Sequence, residues 1–241
     1  MRLKEIKVNG VIVPNEDKWI YDWFEMDATC PADIEKGLLE ANGDDVTLVI
    51  NSPGGEIASG SAMWYAINNY NGSTVSDIVG YACSAASYLA MGSDKVRMAP
   101  SALLMIHCVS GEIRGNHSAL EKEAQVLQVA DKAISNVYRL RTGKSTEEIL
   151  QMMEEETWME ADRALELGFI DEIIGVSEPD TDKNTKLVLH NSLSVGTLLS
   201  EEVKEKIRNT VKHPESLTNQ DFLLQQKFNL LKLRGGIENE I

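Results

Sequence analysis

Three stretches of the chain carry residue types from which acyl-transfer chemistry can be assembled. Ser84 lies in Gly80-Tyr-Ala-Cys-Ser-Ala-Ala-Ser-Tyr-Leu-Ala-Met-Gly92, a run crowded with small residues. It follows a β-type run at 73–79, which Gly80 is expected to break. A serine at such a strand-to-helix junction has free backbone N–H groups beside it and faces the positive end of the helix. That setting suits a nucleophile whose attack creates an oxyanion. The same run alone also reads as close helix packing with a capping serine. His107 ends the apolar run 103–106, and α/β folds present functional groups at the ends of buried strands. It is the candidate base, although a core histidine bonded to a backbone carbonyl fits the same pattern. His117, His190 and His213 stand in polar or tail contexts and are weaker candidates. Gly54 and Gly55 directly follow a buried strand and let backbone N–H groups approach a substrate closely. With the N–H of Ala85 they are the candidate oxyanion donors; an ordinary tight turn is the other reading.

The elements that must position these residues alternate in type. A strand or hairpin is expected at 6–13 and a helix at 32–40 that ends at Asn42-Gly43. The continuous apolar run 46–50 suits a strand buried on both faces, leading into a turn over 51–55. A helix follows at 57–70, with Ala58, Ala62, Tyr65 or Ala66, and Asn69 on one side. Strands are expected at 73–79, 95–98 and 102–106. Strand, helix, strand, helix, strand is the order of an α/β domain with largely parallel pairing. Ser118 and Glu121 form a capping-box pattern opening a long helix to Thr142, and Ser145 and Glu148 open a second. Leu120, Ala124, Leu127, Ala130, Ile134 and Val137 make one apolar stripe on the long helix. A short helix at 161–167 and a strand at 169–174 complete this part.

Composition narrows the function classes. Lys and Arg number 23 against 38 Asp and Glu, a net charge of −15 that disfavours nucleic acid as a partner. Cys30, Cys83 and Cys108 have no metal-ligand spacing and read as reduced, small and mostly buried, as in a cytoplasmic protein. No signal-peptide core and no apolar run of membrane-spanning length are expected, so neither export by that route nor a membrane is implied. There is no phosphate-binding Gly-rich loop, and the chemistry requires no cofactor or metal. After 176 the composition turns polar, with Ser177-Glu-Pro-Asp-Thr-Asp-Lys-Asn-Thr185 as a linker. The expected division is a catalytic domain at 1–176 and a linker with a partly disordered or partner-ordered tail at 177–241. The tail holds a helix candidate at 200–212, and His213-Pro214 would break any helix there.

Taken together, Ile50-Asn-Ser-Pro-Gly-Gly55, Gly80-x-Ala-x-Ser84 and Met105-Ile-His107, in this order and at these separations, resemble the Clp protease proteolytic subunit family. Ala161-Asp-Arg-Ala-Leu-Glu-Leu-Gly-Phe-Ile-Asp171 resembles that family's segment after the triad acid. The likeness covers roughly residues 6–176. It implies a ClpP/crotonase-like superhelix of βαβ units with a long projecting helix. It also implies a serine peptidase with Ser84 as nucleophile, His107 as base, and Gly54, Gly55 and Ala85 in the oxyanion region. Counting back from the Ala-Leu-Glu-Leu-Gly anchor places the family's aspartate on Glu156, within a run that leaves Glu155 as the other register. The family's use of the helix at 118–142 to pack rings implies a ring-forming homo-oligomer; covering its own core is the other reading of that stripe.

Ser-Ala-Ala-Ser after Cys83, Thr157-Trp158 after the acid, and the segment 138–145 look more like the ClpP-related head maturation proteases of tailed phages and prophages. That resemblance implies scaffold or capsid proteins as substrates, in the host cytoplasm or prohead interior. Three other readings remain: a housekeeping subunit working with a AAA+ ATPase, a crotonase-like acyl-CoA enzyme, and a non-catalytic shell component. The Ser84/His107 pairing argues against the acyl-CoA enzyme and against a decayed site.

Overall fold

The structure, a computed structural model, describes residues 4–175 together with Leu199, Val203, Lys204, Glu205 and Ile207. Chain order is β1 (Lys4–Ile12), α1 (Lys18–Trp23), β2 (Ala28–Thr29), α2 (Pro31–Ala41), β3 (Val46–Gly55), α3 (Ile57–Asn68), β4 (Thr74–Cys83) and α4 (Ala85–Ala90). Then follow β5 (Lys95–Met98), β6 (Leu103–Ile106), α5 (His117–Thr142), α6 (Thr146–Glu154), β7 (Thr157–Met159), α7 (Ala161–Glu166) and β8 (Glu172–Ile173). The strands form one sheet in the order β2-β1-β3-β4-β5-β8, parallel throughout, as the strand–helix alternation implies.

The sheet forks at β4. Val75–Ile78 pair with β5, whereas Tyr81–Cys83 pair with β6, which in turn pairs antiparallel with β7. Gly80 lies at the fork and does not end the strand as expected. A Cβ there would sit 2.3 Å from Asn51 Oδ1, and that oxygen accepts the Tyr81 N–H at 3.1 Å. Between Ile50 and Ser52 the register to β4 slips, since Ile50 faces Ile78 and Ser52 faces Ala82. The glycine therefore makes room for the side chain that bridges the slip.

The turn expected over 51–55 is strand. Gly54 and Gly55 pair with Val11 and Ile12 of β1, and the Glu56 N–H continues the ladder to the Ile12 carbonyl at 2.9 Å. A Cβ on Gly55 would stand 2.1 Å from that carbonyl oxygen, so this close pairing needs glycine. Likewise β1 is one strand with an irregularity between Asn9 and Val11, not a hairpin; Gly10 takes a positive φ there. On α3 the buried face is Ser59, Gly60, Met63 and Ile67, while Tyr65 is 65 % exposed. Ala58, Ala62, Tyr65 and Asn69 share the exposed side, and the buried side approaches its neighbours through Ser59 and Gly60 as well as Met63 and Ile67. A Cβ on Gly60 would meet Tyr88 Oη at 2.4 Å and Ala85 Cβ at 3.1 Å.

The long helix starts two residues earlier than its Ser-x-x-Glu pattern implies. Asn116 is the N-cap, accepting the Ala119 N–H, and the αL Gly143 closes the C-terminus. The capping box at Ser145 and Glu148 forms as expected. Helix α1 and strands β2 and β7 had no expectation, and the last strand is only Glu172–Ile173.

Two apolar clusters hold these elements. The main one includes Val8, Leu48, Ile50, Met63, Ile78, Leu89, Leu104 and Phe169. The second joins Val11, Val13, Ile20, Tyr21, Trp23 and Cys30 to Leu199 and Ile207. Val203–Glu205 and Ile207, within the helix candidate at 200–212, are helical. Lys204 Nζ meets Asp17 Oδ2 at 2.7 Å with both side chains buried, and the Leu199 N–H donates to Tyr21 Oη at 3.1 Å. The rest of 177–241, including His213-Pro214, lies outside the described residues.

Candidate active site

Ser84 stands between β4 and α4 with φ 53° and ψ −123°, in backbone space that a non-glycine residue rarely enters. Such a conformation costs about 1–3 kcal/mol and persists only where the surroundings over-determine it. Here they do. The Ser84 N–H donates to the Met105 carbonyl of β6 at 2.9 Å. The Ser84 carbonyl accepts from the Ser87 N–H at 2.9 Å and from Ser87 Oγ at 2.7 Å. Ser87 Oγ has one proton, already given to Ser84, so Tyr138 Oη on α5 donates to it at 2.7 Å. Every residue of α4 is buried, which explains its small side chains: the helix is wedged between β4, α3 and α5 directly behind the serine.

His107 follows β6 and is partly buried. Its Nε2 lies 2.9 Å from Ser84 Oγ, across 23 residues of sequence. The fork of the sheet produces this meeting, because β6 pairs with the last three residues of β4 and so delivers its C-terminal end to the Ser84 turn. This is the distance at which a base can accept the hydroxyl proton.

The three oxyanion candidates are not equivalent. Ala85 opens α4, where no intrahelical acceptor exists for its N–H. Gly55 lines the cavity beside Ser84. Gly54 lies beneath the serine turn: a Cβ there would stand 2.4 Å from the Cys83 carbonyl oxygen and 2.8 Å from Ser84 Cβ. Its N–H donates to Ser52 Oγ at 3.1 Å, and Ser52 Oγ donates to the Gly10 carbonyl at 2.6 Å. Ser52 is thus a positioning element that the sequence reading passed over, although it stands inside the quoted Ser-Pro-Gly-Gly run.

Glu156 and Glu155 diverge. Glu155 caps α6 and accepts from Gln151 Nε2 at 2.9 Å. Glu156 begins the approach to β7 with φ 49°, and its Oε1 accepts the Trp158 indole N–H at 3.1 Å. Among the described residues no carboxylate is hydrogen-bonded to the His107 ring; its side-chain bond is to Ser84.

Burial sets the protonation of the surrounding groups. It pushes the Cys83 thiol up to about 12, with the charge of Glu156 adding to the effect. It raises the Tyr88 hydroxyl to about 12 and the Tyr138 hydroxyl further still. Cys108 is raised to about 11, first by burial and then by Asp131. These groups stay neutral at physiological pH.

The serine and histidine open onto a cavity of about 50 Å³ bounded by Gly55, Ile57, Tyr88, Val109, Ile134 and Tyr138. Ile57, Tyr88 and Ile134 also wall an apolar cleft of about 170 Å³ that runs between α3 and α5 past Trp64 and Val137. Among the described residues no group of three or more His, Cys, Asp or Glu is placed to hold a metal ion, and no helix is long and apolar enough to cross a membrane.

The Clp protease family model matches residues 36–177, well over half of the chain. The chain belongs to the Clp protease family. It is 33 % identical over 140 residues to the ATP-dependent Clp protease proteolytic subunit 1 of Protochlamydia amoebophila, covering 56 % of this chain and 68 % of that one. It is 33 % identical over 136 residues to the protein of the same name from Chlamydia abortus, covering 55 % and 71 %. A solved variant of ClpP1 from Listeria monocytogenes superposes with a TM-score of 0.59 at 22 % identity, covering 71 % of this chain and 91 % of that one. The architecture is therefore the ClpP/crotonase-like α/β fold implied by the sequence. The matched span contains Gly54, Gly55, Ser84, Ala85, His107 and Glu156.

Proposed function

We propose that this Clp-family chain is a serine endopeptidase in which Ser84 is the nucleophile, His107 the general base and Glu156 the orienting acid. The observation that carries the reading is the 2.9 Å contact between Ser84 Oγ and His107 Nε2, made on a strained turn at the mouth of a cavity. His107 Nε2 takes the hydroxyl proton as Oγ attacks the peptide carbonyl carbon. The resulting oxyanion accepts from the N–H groups of Ala85 and Gly55, while Gly54, its own N–H held by Ser52, supports the segment from beneath. Collapse breaks the C–N bond, His107 returns the proton to the leaving amine, and water releases the acyl group by the same steps. The apolar cleft beside the site suits side chains of an extended peptide. A ring-forming homo-oligomer is part of this reading, and its support is family membership.

We further propose that the substrates are scaffold or capsid proteins cut during head maturation of a tailed phage or prophage. This rests on Ser-Ala-Ala-Ser after Cys83, on Thr157-Trp158 and on the segment 138–145. A housekeeping role is the second reading, favoured by the chlamydial relatives, whose names describe ATP-dependent proteolytic subunits. Labelling of the purified protein with a fluorophosphonate, mapped by mass spectrometry, tests the chemistry. Modification is expected at Ser84 and is lost in Ser84→Ala. A folded sample that takes up no label makes the chain a non-catalytic shell component. Cleavage of a co-expressed scaffold protein without nucleotide separates the first role from the second, which requires an added AAA+ ATPase for protein degradation.

A further inference from the structure

The antiparallel register of β6 and β7 sets Ile106 opposite Thr157 and Met105 opposite Trp158. Continued by one residue, it sets His107 opposite Glu156. Met105 and Trp158 share a face of this pair, and His107 and Glu156 flank it just beyond the paired residues, where Glu156 leaves the extended conformation with φ 49°. The backbone of Glu156 is already fixed: its N–H and that of Cys108 both donate to the Met153 carbonyl, each at 3.1 Å, and Thr157 Oγ1 donates to the Met152 carbonyl at 2.6 Å. What remains free is the side chain, an exposed glutamate with three torsions to order. Trp158 orders it, through the indole N–H on Oε1 at 3.1 Å. A neutral donor on one oxygen leaves the carboxylate charged and the other oxygen open.

We propose that Trp158 is the positioning residue of the acid, anchoring Oε1 of Glu156 so that Oε2 turns to His107 Nδ1 when substrate occupies the site. The inference rests on the roles proposed for Ser84, His107 and Glu156. Hydrogen bonds of this kind are often long in the empty enzyme and close only in the complex, which agrees with the open Nδ1 side here. Glutamate reaches farther than aspartate but has one more torsion to control, and the indole supplies that control from two residues along the chain.

The other ionisable groups around His107 do not compete for this role. Cys83 at the end of β4, Tyr88 on α4 and Tyr138 on α5 are held neutral by burial. Asp131 on α5 accepts the Val109 N–H at 2.7 Å, and Asp131 and Glu154 of α6 both act on the Cys108 thiol.

The test is the rate of fluorophosphonate labelling at Ser84 as a function of pH in the full chain, for wild type, Trp158→Phe, Glu156→Gln and the double variant. Trp158→Phe keeps an aromatic ring and removes only the N–H. The expected result is a rate about 3–10-fold below wild type, the weight of one hydrogen bond. The double variant is then no slower than Glu156→Gln, since the indole acts only through the carboxylate. In wild type the Trp158 indole N–H resonance shifts with a carboxylate titration that Glu156→Gln abolishes, a reading that does not depend on the Trp158 variant folding. An unchanged rate in Trp158→Phe, a faster rate, or losses that multiply in the double variant each overturn the proposal. Normal labelling in Glu156→Gln overturns it too while leaving the Ser84–His107 reading intact; an unlabelled wild type removes that reading itself.

Discussion

Ser84 is held in its strained conformation by partners from three directions: Met105 of β6, Ser87 of α4 and, from below, Gly54. Beside it, Cys83 is a buried thiol whose ionisation is pushed up to about 12. An unfolded chain releases that proton near the ordinary thiol value. A folded-state value above the unfolded one gives stability that is complete below the unfolded value and is lost as pH rises towards the folded one. Thermal unfolding followed by circular dichroism is therefore expected to hold steady near neutrality and to weaken progressively between about pH 9 and 12. Cys83→Ala should weaken less over the same window. At this scale the sequence carried much of the proposed site, because a serine after a strand and a histidine ending one are visible as residue types in context. The roles of Ser52 and Trp158 were not visible. Ser52 works by linking β3 to β1, and the role proposed for Trp158 depends on a register that three-residue β7 does not announce.

At the scale of elements, α4 is the part to which others conform. Its six buried residues admit α3 on one side, through Gly60, and α5 on another, through Tyr138. Tyr138 is wholly buried and stacks edge-on with Tyr88 and Phe169, with ring centroids 6.5 and 5.8 Å away. Tyr138→Phe keeps those contacts and removes only the hydroxyl that donates to Ser87. Urea unfolding is expected to show a loss of about 1 kcal/mol, with the denaturant dependence unchanged. A fully neutral result would mean that Ser87 holds the serine turn without help from α5. The strand–helix alternation was legible because its apolar runs are long. The packed face of α3 was not, since a helix that approaches its neighbour through Ser59 and Gly60 hides its contact side from any count of large apolar residues. Strand β2 and helix α1 escaped for a related reason: they are short and belong to a second cluster that two of its members, Leu199 and Ile207, join from far along the chain.

For the whole molecule, the apolar stripe on α5 divides along its length: Ile134 is buried against the body with neighbouring Tyr138, whereas Leu120 is 47 % exposed. Off the stripe, Val126 and Val129 are 51 % and 68 % exposed and Leu140 is 68 % exposed. A helix with buried residues on one side and exposed valines on another suits both readings of the stripe: it closes its own core and offers a surface to further copies. Val126→Glu combined with Val129→Glu is expected to leave the unfolding temperature nearly unchanged and to reduce the assembly seen by light scattering to smaller species. An intact assembly in that variant would assign ring contacts to another face.

Asp17 and Lys204 meet as a buried ion pair across 187 residues of chain. A ribosome adds about 5–20 residues per second, so roughly 10–40 s of synthesis separate the two partners. Until nearly the end of that interval the cluster around Ile20, Tyr21 and Trp23 lacks Leu199 and Ile207, and every residue of the proposed triad is made before either of them. The nascent chain thus carries its catalytic residues before its amino-terminal corner can be finished, and the last event in building that corner is the arrival of residues that lie beyond the matched protease span.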